Sequence, residues 1–457
     1  MKPSDEARFA AARELERAGR TEEARLAYLA LLADAPTHFG ALTNLGALLL
    51  AAGFSSAART VYEQAVAHHP DRASGHVNLA NILAEADETG RARAHYEAAL
   101  DREPDLADAH RGLANLLEAL GEPETAQRHR DRAYRGRAVT PLPYRGMGPG
   151  TPLLLLISAL GGNVPTRPLI DDRIFRVSAL AAEYADLTAL PPHALLFNAV
   201  GDADLAGAAL DAAERVAASS NAPLINPPAA VRFTGRAETA RRLAGIAGLR
   251  TPRIVLAEKV RVTPDRLAAH GIVPPLLLRS PGFHTGRHFV RVENPAELEA
   301  AAAALPGRAL FAIEYLDARG RDGNARKYRV MIVDRRLYPL HLAISRDWKV
   351  HYFTADMEAS EAHRAEEAAF LADMNAILGE RARAALEAAA ARLGLDYGGI
   401  DFALSPEGDV QVFEANATMV VNPPPAGARW DYRRAAVQRV LDAAGRMLAE
   451  RAGIVAR

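Results

Sequence analysis

The chain has 457 residues, 49% of them hydrophobic, which is enough for roughly two to four domains with their own cores. Its 55 Lys and Arg are matched by 56 Asp and Glu, which excludes nucleic acid or an anionic membrane as a dominant electrostatic partner. It has no cysteine, which excludes disulfides, thiolate metal sites and cysteine nucleophiles. The N-terminal segment MKPSDEARFAAARELERAG is charged and helical in character, without the apolar stretch of a secretory signal. The apolar run Leu153 to Ile157 is too short to span a bilayer. A cytoplasmic protein with no membrane partner is the expectation.

Internal periodicity comes first along the chain. Ala24, Ala58, Ala92 and Ala126 are spaced by 34 residues, as are Tyr28, Tyr62 and Tyr96, and Pro36, Pro70 and Pro104. Leu45, Leu79 and Leu113 keep the same phase, and so do Gly19, Gly53 and Gly121, with Asp87 at the remaining position. Each repeat reads as a helix pair: alanine allows close helix approach, tyrosine fills the gap to the next repeat, and proline stops the second helix. The pattern resembles the tetratricopeptide repeat family, with about four helix pairs over residues 1–138. The resemblance implies an all-α superhelix whose concave face takes a peptide or protein segment. Arg130 stands at the large aromatic position of the fourth repeat, as suits a terminal turn.

Asn44 and Asn78 share one repeat position on the first helices, and Asn81 and Asn115 share another. Their amides could form a ladder that grips a peptide backbone, similar to the repeats of O-linked N-acetylglucosamine transferases. The alternative is asparagine tolerated on solvated helix faces. Residues 139–151, rich in proline and glycine, read as a linker.

From Pro152 the pattern changes to short apolar runs, Leu153–Ile157, Ala194–Asn198 and Pro223–Asn226, with a helical stretch Ala206–Ala218 between the last two. Strands alternating with helices predict a parallel sheet over 152–235. Gly161-Gly162 after the first strand reads as a turn or a ligand cradle. A helix over Arg236–Ala247 and a strand over Pro275–Arg279 follow. The loop Ser280–Arg287 then offers either a phosphate-facing turn or a plain hairpin. Further on, Asp401 lies in an apolar strand, Glu407-Gly408-Asp409 makes a turn, and the returning strand ends in Glu414-Ala415-Asn416. This places two carboxylates and an amide oxygen on one face of a hairpin, a hard-oxygen set suited to Mg²⁺. A hairpin with ordinary exposed acids would explain Asp401 poorly.

The segment DYGGIDFALSPEGDVQVFEANATM resembles the metal-binding hairpin of ATP-grasp enzymes, in the branch of glutathione synthetase and ribosomal-protein glutamate ligase. The resemblance implies a multidomain chain: the repeats, an α/β pre-ATP-grasp domain over 152–235, and an α+β ATP-grasp fold over 236–450. It further implies ATP and Mg²⁺ (or Mn²⁺) as cofactors, with Asp401, Glu414 and Asn416 as metal ligands. Glu314, Tyr315 and Leu316 would hold adenine, and Arg329 would contact phosphate. Arg236 and Arg279 stand where the family usually has lysines, and the family's proline after the metal asparagine is replaced by Ala417-Thr418-Met419.

The implied activity is an ADP-forming carboxylate–amine ligase that works through an acyl phosphate, with Arg279 and Arg329 catalytic and small-molecule or peptide acids and amines as substrates. His341, Arg346 and Lys349, in a segment running to Tyr352, are candidate acceptor-wall residues; core or solvated roles are the alternatives. Two other functions stay open: a peptide-binding repeat protein with a regulatory or degenerate nucleotide domain, and a phosphotransferase of the same fold. For the repeats, homodimerisation is the alternative to substrate recruitment.

Overall fold

The computed structural model describes residues 4–282, 287–350, 355–424 and 427–454. The chain divides into two compact units, Met1–Ala138 and Val139–Arg457.

The first unit is a helical repeat array. Its described residues form four antiparallel pairs: α1 (Asp5–Arg17) with α2 (Thr21–Asp34), α3 (Phe39–Ala51) with α4 (Ser55–His68), α5 (Ala73–Glu85) with α6 (Thr89–Arg102), and α7 (Ala107–Ala119) with α8 (Pro123–Tyr134). The 34-residue register has a packing cause. Ala24, Ala58, Ala92 and Ala126 are fully buried, and Tyr28, Tyr62 and Tyr96 are buried beside them. A Cβ on Gly46 of α3 would lie 2.4 Å from the Tyr62 ring of α4, and one on Gly112 of α7 2.3 Å from the Tyr96 ring of α6, so glycine admits the first tyrosine against its own partner helix and the second against the helix of the next pair. Arg130, at the same position in the last pair, is buried too, and its guanidinium reaches Glu118 at 2.8 Å.

The turn inside each pair has a left-handed residue: Gly19 at φ 76°, Gly53 at 85°, Asp87 at 62° and Gly121 at 80°. The aspartate therefore occupies a conformation that the other three turns give to glycine.

Two successive repeats also carry a histidine pair. The Nδ1 atoms of His76 and His95 lie 3.0 Å apart, and those of His110 and His129 2.8 Å apart. His76 Nε2 faces the Pro70 carbonyl and His110 Nε2 the Pro104 carbonyl. A carbonyl only accepts, so Nε2 carries the proton of each inner ring. Its bare Nδ1 then receives the Nδ1–H of the outer ring. Charging the inner ring would set two Nδ1 donors against each other.

The second unit holds three sheets. The first runs β1-β3-β2-β4-β5, with β1 (Val139–Pro141), β2 (Thr151–Ile157), β3 (Phe175–Ala181), β4 (Leu195–Asn198) and β5 (Leu224–Ile225). Strands β2 to β5 are parallel and β1 pairs antiparallel to β3. Helices α9 (Gly207–Ala218), α10 (Pro228–Arg232) and α11 (Arg236–Leu243) lead to β6 (Leu249–Arg250).

The second sheet, β7-β10-β8-β9, is antiparallel: β7 (Ile254–Glu258), β8 (Leu276–Arg279), β9 (Phe289–Val292) and β10 (Ala309–Glu314). With α12 (Pro264–Ala269) and α13 (Leu298–Ala304) it encloses its own small core around Leu278 and Leu310. The third sheet, β12-β11-β13-β14-β6, comprises β11 (Ala325–Val333), β12 (Arg336–Ser345), β13 (Tyr397–Leu404) and β14 (Val410–Asn416), with β6 parallel at its edge. Helices α14 (Glu361–Ala372), α15 (Met374–Leu393) and α16 (Asp431–Arg451) pack on it, and its core is continuous with that of the first sheet.

Three sequence expectations need correction. Part of the expected linker is strand β1, and Leu142 N–H extends its pairing to the Val177 carbonyl. Strand β3 departs from the strand–helix alternation expected there: FRVSALA alternates over its first residues, but no helix separates it from β2. Helix α11 stops at Leu243 rather than Ala247, because Ala244 turns to ψ 142° and Gly245 takes φ 80°. Among the described residues no helix is long and apolar enough to cross a membrane.

Replacing Asp87 by glycine should stabilise the array by ~0.5–1 kcal/mol, read as a higher urea midpoint at unchanged slope, whereas Asp87→Ala should lower the midpoint. A second expectation concerns pH. Burial lowers the pKa of His95, His110 and His129 in the folded array, helped for His95 and His129 by the neighbouring ring of the pair. The unfolded chain then binds more protons below the ordinary histidine value of about 6.5, so stability is complete above that pH and declines as pH falls through it. Hydrogen exchange at α5–α8, corrected for the intrinsic effect of pH, should show protection lost between pH 7.5 and 5.5. Unchanged protection would remove the histidine pairs as its source.

Candidate functional site

The site is built on a row of side chains that crosses the third sheet. His341 on β12 is the cross-strand partner of Arg329 on β11, Arg329 is the partner of Asp401 on β13, and Asp401 is the partner of Glu414 on β14. Residues opposite one another in adjacent antiparallel strands share a face, so the four side chains stand in line. Lys327 and Asn416, each two residues along its strand, extend the row on that face. The strands approach closely because of Gly398-Gly399: a Cβ on Gly398 would lie 2.8 Å from the Asn416 carbonyl oxygen.

The row is tightly ion-paired. Arg329 Nε donates to Asp401 Oδ1 at 2.5 Å and Nη2 to Oδ2 at 2.8 Å, while Lys327 Nζ lies 3.3 Å from Oδ2. Arg236, at the start of α11, donates from Nη2 to Glu414 Oε1 at 2.7 Å, an oxygen that also accepts from Asn416 Nδ2 at 2.9 Å. Asn416 Oδ1 accepts from the Thr418 N–H and hydroxyl, both at 3.0 Å.

These contacts set the charge states. Burial opposes the charge of Asp401, but Arg329 and Lys327 outweigh it and hold the carboxyl well below its ordinary range. Burial likewise opposes the charge of Glu414, and Arg236 and Arg279 keep its pKa low. Burial, with Arg236 close by, lowers Arg279 to about 10, still protonated at neutral pH. His341 is held neutral by burial and then by Arg329.

The row faces a cavity of about 600 Å³. One end of it is apolar and aromatic. There Ile313, Leu277 and Leu316 meet Tyr315, Phe289 and Trp348, with Trp348 edge-on to Phe289 at 5.5 Å and Arg291 over Tyr315 at 4.1 Å. The middle is the charged row with Arg236 and Arg279. Asn163, Leu340, Met419, Val420 and Arg433 complete the lining. Arg433 is fixed by Glu367, which is fully buried; Glu367 Oε2 accepts Arg433 Nη2 at 2.6 Å and Nε at 3.0 Å.

The structure therefore gathers Arg236, Arg279, Glu314, Tyr315, Leu316, Arg329, His341, Lys349, Asp401, Glu414 and Asn416 around one cavity. Two of them sit differently from expectation. The Glu314 carboxylate is taken by Arg250 at 2.7 Å and by the Arg253 N–H at 3.0 Å. Arg329 is engaged with Asp401. Lys349 lies 5.9 Å from the Phe289 ring centroid. Arg346 is not brought to the cavity: it is exposed, and its N–H caps Asp356. Of the loop 280–287, residues Phe283 to Gly286 lie outside the described residues, as do His351 and Tyr352.

In the repeat array, Asn44 donates to the Tyr28 hydroxyl at 2.9 Å and Asn81 accepts from the Tyr96 hydroxyl at 2.5 Å. Those two amides are thus used in part to hold the interlocking tyrosines; Asn78 is half-buried and Asn115 exposed.

The sequence assigns no role to Lys327, Phe289 or Arg433, while Trp348 falls within the segment expected to wall the acceptor. Lys327 was legible in principle, because a residue two before Arg329 on a strand shares its face.

Among the described residues no cluster of three His, Cys, Asp or Glu side chains is placed to hold a metal ion. The set available here is two carboxylates and one amide, Asp401, Glu414 and Asn416. Its hard oxygens fit a cation such as Mg²⁺ once the ion pairs open.

No family model matches the chain, and no curated protein does. Among solved structures, the chain is similar to a crystal structure of MamA (20% identity, covering 27% of this chain and 72% of that one, TM-score 0.26). It is also similar to MamA 41-end from Desulfovibrio magneticus RS-1 (22% identity, covering 28% and 73%, TM-score 0.26).

Proposed function

We propose that the second unit is an ATP-dependent carboxylate–amine ligase of the ATP-grasp kind and that the repeats recruit its peptide or protein substrate. The observation that carries the reading is the charged row at the centre of a cavity with an apolar, aromatic end. Arg236, Arg279, Lys327 and Arg329 surround two carboxylates there, which suits a polyanion attached to a flat, apolar group. A nucleoside triphosphate has that form. The backbone at 314–316 would face the base, and the cations would face the phosphates.

In the first step an oxygen of the substrate carboxylate forms a bond to the γ-phosphorus while the bond to the β-γ bridging oxygen breaks, giving an acyl phosphate and ADP. In the second, an amine forms a C–N bond to the acyl carbon, the C–O bond breaks, phosphate leaves, and the amine loses a proton to solvent. Arg279 and Arg329 meet the charge on the transferring phosphoryl group, and no protein nucleophile takes part. A divalent cation held by Asp401, Glu414 and Asn416 would supply charge neutralisation at the phosphates.

A second reading, a nucleotide-sensing module without turnover, draws on the ion pairs that already engage both carboxylates. Mass detection of a product lighter by one water than its acid and amine, with ATP, Mg²⁺ and a panel of amino acids and peptides, separates the readings. The ligase requires ADP release that depends on the amine. ADP and a phosphorylated acid without any amine would identify a phosphotransferase, and nucleotide binding without ADP a sensor. Glu414→Gln should remain folded and lose activity by about a hundredfold or more; full ADP production by this variant would sink the metal assignment.

For the repeats, delivery of a tethered substrate raises its effective concentration at the site. Deleting residues 1–138 should raise the apparent KM for a macromolecular substrate about tenfold or more and leave small free substrates little changed. Equal kinetics on every peptide would leave assembly as the role of the array.

A further inference from the structure

We infer that Lys327 is a charge-exchange residue: its ammonium holds Asp401 in the nucleotide-free site and passes to a phosphate oxygen when a divalent cation enters with the nucleotide. The inference rests on the nucleotide reading of the cavity.

Asp401 has two cationic partners. Arg329 uses a fixed fork, with two parallel bonds across the strand pair. Lys327 makes one longer contact, at 3.3 Å, from a side chain that remains 16% exposed and lines the cavity. A guanidinium in bidentate geometry is costly to re-aim, whereas an ammonium on a four-carbon stem is a point charge that swings without losing a paired geometry. Of the two, Lys327 is the partner built to leave.

The surrounding charges say when it leaves. Four cationic side chains, Arg236, Arg279, Lys327 and Arg329, already engage or adjoin the two carboxylates Asp401 and Glu414, and Asp202 and Asp204 lie near Arg279 as well. A lone divalent cation must compete with Lys327 for Asp401 Oδ2 and with Arg236 for Glu414 Oε1. A triphosphate meets attraction from the cations. It also gives Lys327 an alternative acceptor, which releases Asp401 to the cation. The competition with Lys327 and Arg236 thus favours entry of cation and nucleotide together over a cation bound beforehand.

The test uses the full-length protein and needs no turnover. Mn²⁺ binding is followed by electron paramagnetic resonance with and without a non-hydrolysable ATP analogue, and analogue binding in the presence of EDTA by calorimetry. The wild type should bind Mn²⁺ at least about tenfold more tightly with the analogue than without it. Lys327→Gln should move the two affinities in opposite directions, each by about tenfold: nucleotide-free Mn²⁺ binding tightens and metal-free analogue binding weakens. Lys327→Arg, which keeps the charge, should return both towards wild type. A merely structural lysine would weaken both or neither, and that result overturns the inference. So does equal Mn²⁺ affinity of the wild type with and without analogue, a comparison that stands even if Lys327→Gln does not fold. Failure of the analogue to bind the wild type at all would instead overturn the nucleotide reading.

Discussion

The second unit depends on one buried ion pair, Arg329 with Asp401. Strand β13 is buried along nearly its whole length, and a carboxylate within it would cost several kcal/mol if left unpaired. Arg329 removes that penalty with a two-bond contact from the neighbouring strand. The pair also fixes register. A slip of one residue between β11 and β13 would turn Asp401 to the opposite face and leave the guanidinium without its carboxylate. The pairings on either side place Glu414 opposite Asp401 and His341 opposite Arg329, and these side chains line the cavity.

A second buried pair, Glu367 with Arg433, fixes another lining residue of the cavity. Glu367 on α14 accepts from Arg433 on α16 and from the Leu342 N–H of β12, so one carboxylate ties two helices to the edge of the sheet. Burial raises the Glu367 pKa, against the pull of Arg433, so the charged pair holds only while both partners are in place. Arg433 is stacked on Trp430 at 4.1 Å as well, which leaves it little rotamer freedom. The walls of the cavity are therefore set by paired charges inside apolar packing, and its centre by charges with more than one available partner.

The repeat array follows a different logic. The helices bury the repeated alanines and tyrosines between them, so similar contacts recur along the array. Arg59 with Glu88, and Arg93 with Glu122, repeat an ion pair between successive repeats, but these charges are largely solvated and contribute little to stability. The tyrosine hydroxyls matter more for function. By engaging Asn44 and Asn81 they reduce the polar capacity those amides could offer to a bound peptide, so a regular backbone ladder would have to share its donors and acceptors with the interior of the array.

The sequence by itself determined the periodic and the local. The 34-residue phase showed the helix pairs because each repeat solves the same packing problem with the same residues. The strands of the metal-like hairpin were legible because alternation and the Glu407-Gly408-Asp409 turn are local signals, and they put Asp401, Glu414 and Asn416 on one face. What only the tertiary structure decided depends on contacts between distant segments. Lys327 and Arg329 meet Asp401 more than 70 residues away, Arg236 meets Glu414 across 178, and Glu314 is claimed by Arg250 rather than left open. Strand β3 and the pairing of β1 in the expected linker were hidden for the same reason. A strand's partner is chosen by the sheet and not by the strand, and charge pairing at long separation leaves no spacing to read.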